Sequence, residues 1–257
     1  STYNKKLVYV LNKSDLVPRD ILVQWLNYLR KFNPTLLFKC NTQNQKGNLS
    51  RMSGKISKME ESAIHNTSHA IGTEELLNIL KNYARTDGSG GASSKGTISV
   101  GIVGFPNVGK SSLINSLLRI RKVGVSPVPG FTKQYQEVIL DKNIRLIDCP
   151  GVVFAEENEV LNSSAAALRN CVNVDELGDV FTPMQAILDR CPQSYLVQLY
   201  NISGFKDKDV SAFLSLVAHT TGKLKKGGIP NTDMVARSIL HDWNTGKIKY
   251  YCRLPMD

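Results

Sequence analysis

The sequence predicts an α/β fold with a mostly parallel sheet, followed by a small α-helical domain. Three observations predict it. Short apolar strands alternate with amphipathic helices through residues 1–160, a glycine-rich turn stands between a strand and a helix, and beyond about residue 161 the periodicity is almost wholly helical.

Residues 5–11, "KKLVYVL", read as a short buried strand that ends at "NKSD". In "RDILVQWLNYLRKF", Ile21, Leu22, Trp25, Leu26 and Leu29 fall at helical spacing, and "TLLFKC" then reads as a second strand. Strand, helix, strand implies parallel pairing. From Asn41 to Ile71 the pattern fades into Ser, Asn, Lys and Gly, so an exposed, flexible insertion is expected at about 43–70. "TEELLNILKNYAR" restores a helix, and "TDGSGGASSKG", residues 86–96, has the composition of a flexible linker. "TISVGIVG" is a strand, "KSSLINSLLRI" a helix, and "KQYQEVIL" and "NIRLID" two further strands, antiparallel across "DKN". "SSAAALRNC", "PMQAILDRC", "DVSAFLSLVAHTT" and "TDMVARSILHDW" carry the helical part, read as one domain over 161–257. Trp25 and Trp243 read as core anchors.

Composition narrows the function classes. No apolar run approaches the roughly 20 residues of a spanning helix, so a soluble protein is expected. Cys40, Cys149, Cys171, Cys191 and Cys252 are odd in number and never in a CxxC pair, which suggests neither a disulfide framework nor a zinc site, and fits a reducing compartment. His65 and His69 are four apart but lack a third ligand, so a solvated loop is expected there. The formal charge of +10 permits attraction to nucleic acid.

The chemistry is concentrated in short boxes. Gly104, Gly109, Lys110 and Ser111 satisfy G-x-x-x-x-G-K-S between a strand and a helix. Its glycines let backbone N–H groups turn toward phosphate oxygens, Lys110 should reach the terminal phosphates, and Ser111 should bind Mg²⁺. In "LIDCPG", Asp148 should hold the metal and the Gly151 N–H should contact the terminal phosphate. Thr132, in "PVPGFTKQ", is either a switch threonine joining metal and phosphate or a residue at a strand start. In "NKSD", the Asp15 carboxylate can accept from guanine N1–H and the exocyclic amine, Asn12 can bind the opposite base edge, and Lys13 can lay its stem over the ring. Adenine cannot satisfy that pattern, so GTP/GDP is expected rather than an adenine nucleotide.

The boxes stand in an unusual order, with the base box ahead of the phosphate loop, the switch threonine and DxPG. Nothing physical forbids this, since joining old chain ends and opening new ones at exposed sites preserves a sheet. The order therefore predicts a circularly permuted P-loop GTPase domain over 1–160.

"VLNKSDLVP", "FKCNTQ", "GIVGFPNVGKSSLINSL", "VPGFTK", "LIDCPGVV", "LRNCVNVDEL", "KLKKGGIP" and "HDWNTGKIKYY", in that order, resemble the nucleostemin-like nucleolar GTPases among the permuted ribosome-assembly GTPases. The resemblance implies slow GTP hydrolysis with Mg²⁺ in large ribosomal subunit assembly, with pre-ribosomal particles and ribosomal RNA as partners, no membrane, and a monomer. Nucleolar placement is implied too, with cytoplasm or mitochondrion as alternatives. A second base contact is implied at Cys40 and Asn41, next to Thr42, where Ala-Ser-Thr is the usual pattern. The cofactor-binding set is completed by Asn107, Val108, Gly109 and Ser112. Asn107 resembles the loop Asn of potassium-stimulated members, or serves as a turn former. Val152 stands where a catalytic Gln would orient water, so fast turnover needs another group or a partner. An RNA-binding scaffold holding nucleotide as a structural ligand is the rival reading. In the helical domain Lys223, Lys225 and Lys226 are candidate RNA contacts, with Arg237, Lys247, Lys249 and Arg253 nearby and Tyr250 and Tyr251 available to stack. The usual strand upstream of NKSD is missing, which suggests a piece of a longer chain.

Overall fold

The computed structural model describes residues 5–42, 46–86, 97–126, 128–152 and 164–255. The linker expected over 86–96 lies beyond them apart from Thr86, and so does the boundary expected near 160. The chain forms two compact units, Ser1–Val152 with Tyr251–Asp257, and Val153–Tyr250.

In the first unit, β1 (Tyr9–Leu11) pairs in parallel with β2 (Thr35–Leu37), Tyr9 opposite Thr35 and Leu11 opposite Leu37. A parallel pair needs a crossover, and α1 (Arg19–Leu29) supplies it. Pro18, with φ preset for entry, precedes its first turn, and its 3.6-residue stripe buries Ile21, Leu22 and Leu26. Trp25 is only half-buried, because its indole N–H donates to the Cys252 carbonyl at 2.8 Å near the surface.

Where composition suggests a featureless insertion, the structure builds short elements. β3 (Arg51–Met52) and β4 (Ala70–Ile71) pair in parallel around α2 (Glu61–Asn66), and Leu49, Ile56, Ile64, Ala70 and Ile71 are buried. These apolar residues are too irregularly spaced to produce a helix or strand period. Ile56, Ile64 and Ile71 nevertheless close a core with Leu22, Leu26 and Leu37.

The helix α3 (Thr73–Thr86) leads to β5 (Ile98–Ile102), which lies parallel to β7 (Ile144–Asp148). β6 (Gln136–Asp141) joins β7 antiparallel across the expected turn, giving the order β5-β7-β6. Helix α4 (Lys110–Leu118) follows the glycine-rich loop. Among the described residues β1–β2 and β5–β7–β6 are separate hydrogen-bonded ladders. One hydrophobic core joins them, through Leu36 and Phe38, Leu76 and Leu80 of α3, Leu113, Ile114 and Leu117 of α4, and Val138, Ile144 and Leu146.

The second unit is helical: α5 (Ser164–Leu168), α6 (Phe181–Arg190), α7 (Gln193–Tyr200), α8 (Val210–Thr221) and α9 (Thr232–Thr245). Asp209 and Asn231 cap α8 and α9 by accepting from the N–H groups of Ala212 and Met234. Met184, Ile187, Leu196, Phe213, Leu214, Val235, Ile239 and Leu240 form its core. Such burial is worth about 1.5–3 kcal/mol per side chain. No helix among the described residues is long and apolar enough to cross a membrane.

The end of α4 is pinned by Asn115, a buried polar residue. Its Nδ2 donates to the Val123 carbonyl at 2.9 Å, and its Oδ1 accepts from the N–H groups of Lys122 (2.9 Å) and Val123 (3.0 Å). Asn115→Ala orphans all three backbone groups, so urea unfolding should show a loss of at least about 1–3 kcal/mol. A change inside the roughly 0.5 kcal/mol scatter of surface substitutions would show that the turn stands without this side chain.

Candidate functional site

The phosphate loop runs from β5 to α4, with Asn107 in the left-handed region (φ 57°) and Gly109 (φ 100°) as the residue before the helix. Backbone N–H groups at a helix start favour an anion. Lys110 Nζ donates to the carbonyls of Gly104 (3.0 Å) and Phe105 (2.7 Å), which holds the cation against the loop. Burial depresses its pKa, and the neighbouring Asp148 opposes that shift.

The base box closes on this loop from the other end of the unit. Asn12 Nδ2 donates to the Val108 carbonyl at 2.8 Å, across 96 residues of sequence. The approach is so close that a Cβ at Gly109 would overlap Asn12 Nδ2, so both φ and space demand glycine there. Cys40 lies behind the pair, its thiol donating to Asn12 Oδ1 at 3.3 Å. Burial pushes that thiol up to about 12, which keeps it a neutral donor.

Asp15 lies in a 3-10 turn, Ser14–Leu16, anchored by Ser14 Oγ to the Leu11 carbonyl (2.8 Å) and Ser14 N–H to the Phe38 carbonyl (3.2 Å). Sequence reasoning missed the residue beside it. Lys39 is 2% exposed, donates to the carbonyls of Ile64 and Thr67 at 2.6 Å each, and stands 3.9 Å from Asp15 Oδ2. A lysine between Phe38 and Cys40 carries no signal in sequence that separates a buried brace from a solvent-facing strand residue.

The three expected metal ligands come together. Ser111 Oγ donates to Asp148 Oδ2 at 2.7 Å and lies 3.4 Å from Thr132 Oγ1. Asp148 Oδ1 is buried without a hydrogen-bond partner. Burial pushes the carboxyl up, while Ser111 and Lys110 pull it down. Hard oxygen ligands around an unsatisfied buried carboxylate oxygen fit a Mg²⁺ ion. Gly151 is packed so tightly on the phosphate loop that a Cβ would meet Pro106 Cγ at 2.8 Å, and the Val152 N–H donates to the Gly104 carbonyl at 3.1 Å. Val152 itself is 46% exposed, an apolar side chain at the site's edge.

Several expected contacts take other roles. Asn41 donates its backbone N–H to Ser116 Oγ (3.1 Å) and its side-chain amide to the Ser50 carbonyl (2.6 Å), and Thr42 N–H goes to the Ser68 carbonyl. The backbone N–H and the side-chain amide of Asn41 are thus both engaged within the fold. In the second unit Arg237 is an internal brace on the carbonyls of Val174 and Leu177 and on Asp233, Lys247 pairs with Asp242 at 2.8 Å, and the Tyr250 ring lies 5.2 Å from that of Trp243. Lys225 and Lys226 are exposed and Lys223 half-buried on a loop closed by the Leu224–Pro230 bridge. His65 lies in the last turn of α2 where a loop is expected, and the described residues hold no group of three His, Cys, Asp or Glu placed for a metal.

Lys39→Met keeps the volume and removes the charge, leaving two carbonyls and Asp15 without their cation. Urea unfolding should register a loss of about 1–3 kcal/mol. An unchanged midpoint would mean that the ammonium is replaceable by water.

A family described as "50S ribosome-binding GTPase" matches residues 99–199. Guanine nucleotide-binding protein-like NSN1 of Arabidopsis thaliana is 49% identical over 98% of this chain and 41% of its own length. Guanine nucleotide-binding protein-like 3-like protein of Bos taurus is 46% identical over 98% of this chain and 42% of its own. The chain thus spans about two fifths of the length of the curated relatives it matches. The solved structure of GDP-bound TM YlqF is similar with a TM-score of 0.56, at 20% identity, over 97% of this chain and 83% of that one, a likeness of fold. Over 98% of its length the chain is similar to the guanine nucleotide-binding protein-like 3 and NSN1 proteins, and its fold is that of a circularly permuted P-loop GTPase domain.

Proposed function

We propose that this chain binds GTP and GDP with Mg²⁺, hydrolyses GTP slowly to GDP and phosphate, and acts as a monomeric nucleotide switch in assembly of the large ribosomal subunit, in the nucleolus. The observation that carries the reading is the union of two distant boxes in one pocket: Asn12 holds the Val108 carbonyl while Ser111, Thr132 and Asp148 converge beside it. The names of the relatives and the ribosome-binding family description support the assembly role.

In this reading Asp15 accepts from the guanine edge, Lys13 covers the ring, and Lys39 keeps the Asp15 carboxylate fixed from behind. Asn12 and the Cys40 backbone complete the base pocket. Asn107, Val108, Gly109 and Ser112 present backbone to the phosphates, and Lys110 leaves its loop carbonyls to meet them. Ser111, Thr132 and Asp148 would hold Mg²⁺, which when bound neutralises charge on the phosphate oxygens. Gly151 offers its N–H to the terminal phosphate. Val152 has no group to orient water, so unaided turnover is slow and rises with potassium near Asn107 or with a particle. Lys223, Lys225 and Lys226 serve as RNA contacts of the helical unit.

That exposed valine also supports a second reading, in which the protein is an RNA scaffold and nucleotide only stabilises it. Co-sedimentation with large-subunit precursors in potassium buffer decides between them. The switch requires stronger binding with a non-hydrolysable GTP analogue than with GDP, and equal binding leaves the scaffold. For the base pocket, Asp15→Asn should weaken GDP binding by about 10²–10³, the worth of two hydrogen bonds to a charged acceptor. Titration with fluorescent GDP and XDP checks it, since the variant should come to prefer XDP, and unchanged GDP affinity would remove Asp15 from the base pocket.

A further inference from the structure

The basic excess of the first unit is not used by the nucleotide pocket. The sequence holds no Asp or Glu between Asp20 and Glu60, and none between Asp87 and Glu137. The fold stitches these two acid-free stretches together. Residues 46–49 and 119–122 form a short antiparallel ribbon, with Gly47 bridged to Ile120, Arg121 N–H donating to the Lys46 carbonyl at 2.9 Å and Leu49 N–H to the Arg119 carbonyl at 3.0 Å. Lys46, Arg119, Arg121 and Lys122 are all exposed on it, with Arg119 Nε donating to the Leu49 carbonyl at 3.4 Å.

Lys46 and Arg121 face each other one step from the bridge. The ribbon is held by its anchors. Asn115 binds the backbone of Lys122 and Val123, and Arg51 donates to the carbonyls of Ser116 and Leu117 at the end of α4. Glu74, the acid near Arg51, accepts from Ser53 Oγ at 2.7 Å. The ribbon's one exposed large apolar side chain is Ile120, too little for the apolar centre of a protein interface or the buried face of a membrane-surface helix. Rigid, closely spaced cations with almost no apolar surface match a run of phosphates.

We propose that the ribbon of residues 46–49 and 119–122 is a docking surface for the phosphate backbone of RNA, contacted by Lys46, Arg119, Arg121 and Lys122. It is distinct from the Lys223–Lys226 loop, and its chemistry does not depend on the nucleotide reading. Only the identification of the RNA as ribosomal rests on the proposed function. Contacts to phosphate position an RNA without reading its sequence, so the ribbon should bind duplex RNA of any sequence.

The test uses the 257-residue chain and a 20-base-pair RNA hairpin of arbitrary sequence, titrated across a salt series. Lys46→Ala/Arg121→Ala/Lys122→Ala should weaken binding at least about tenfold near 0.1 M salt and lower the slope of log K against log salt by about 2–3. The melting temperature should stay close to the parent's, as for surface substitutions in general, and fluorescent-GDP affinity should stay as in the parent. Lys46→Arg/Arg121→Lys/Lys122→Arg, which keeps the charge, should retain RNA binding. Unchanged affinity and slope in the alanine variant, or a loss shared by the charge-preserving variant, overturns the proposal. So does a defect confined to phosphatidylserine vesicles with RNA binding intact. Failure of the parent to bind GDP would count against the nucleotide reading alone, since the RNA titration is run without nucleotide.

Discussion

The hydrogen bond from the Asn12 carboxamide to the Val108 carbonyl is the constraint around which the first unit is built. In a permuted chain, base box and phosphate loop share no short connection, so their registry must come from direct contact. Helix and sheet geometry alone would leave ångströms of slack between β1 and β5, which belong to separate ladders. The contact removes it by demanding that residue 109 lack a side chain, that the Asn12 amide face the loop, and that its oxygen find a donor behind it. Cys40 meets the last demand with a thiol too buried to ionise.

Charge is then distributed around the pocket by burial. Lys39, Lys110 and Asp148 are each drawn out of water, and each is held by groups that make its charge tolerable: carbonyls for the lysines, a hydroxyl and a nearby ammonium for the aspartate. Removing an ion from water costs several kcal/mol unless it is paired and hydrogen-bonded. Asp148 Oδ1 and Asn41 Oδ1 remain buried without a partner among the described residues, and Asp148 Oδ2 takes the Ser111 hydroxyl that lies beside Thr132.

The main elements and the phosphate, metal and base boxes were legible because each rests on local chemistry: a glycine-rich turn before a helix, an acid at a strand end, a carboxylate after a strand. Strand–helix–strand periodicity likewise foretold the parallel β1–β2 pair and the antiparallel β6–β7 hairpin. What escaped was long-range. Lys39 reads as any strand lysine until α2 supplies carbonyls over it, and Cys40 reads as a departure from Ala until Asn12 lies against it. Ile56 and Ile64 have no period, so the core they form in a polar stretch was invisible. Arg237 looked like a surface cation because nothing local announces the carbonyls of Val174 and Leu177.

The span of 96 residues between Asn12 and Val108 has a consequence for how the chain is made. Domains fold roughly from the N-terminus during synthesis, at about 5–20 residues per second. The base-reading half, with its Asp15 turn and buried Lys39, leaves the ribosome first and has no phosphate loop to close against. A nucleotide thus cannot act as an early template for that half, as it can where the phosphate loop comes first. For several seconds the nascent segment must hold its β1–α1–β2 unit by local packing, which here is the core of Leu22, Leu26 and Leu37 closed by Ile56, Ile64 and Ile71.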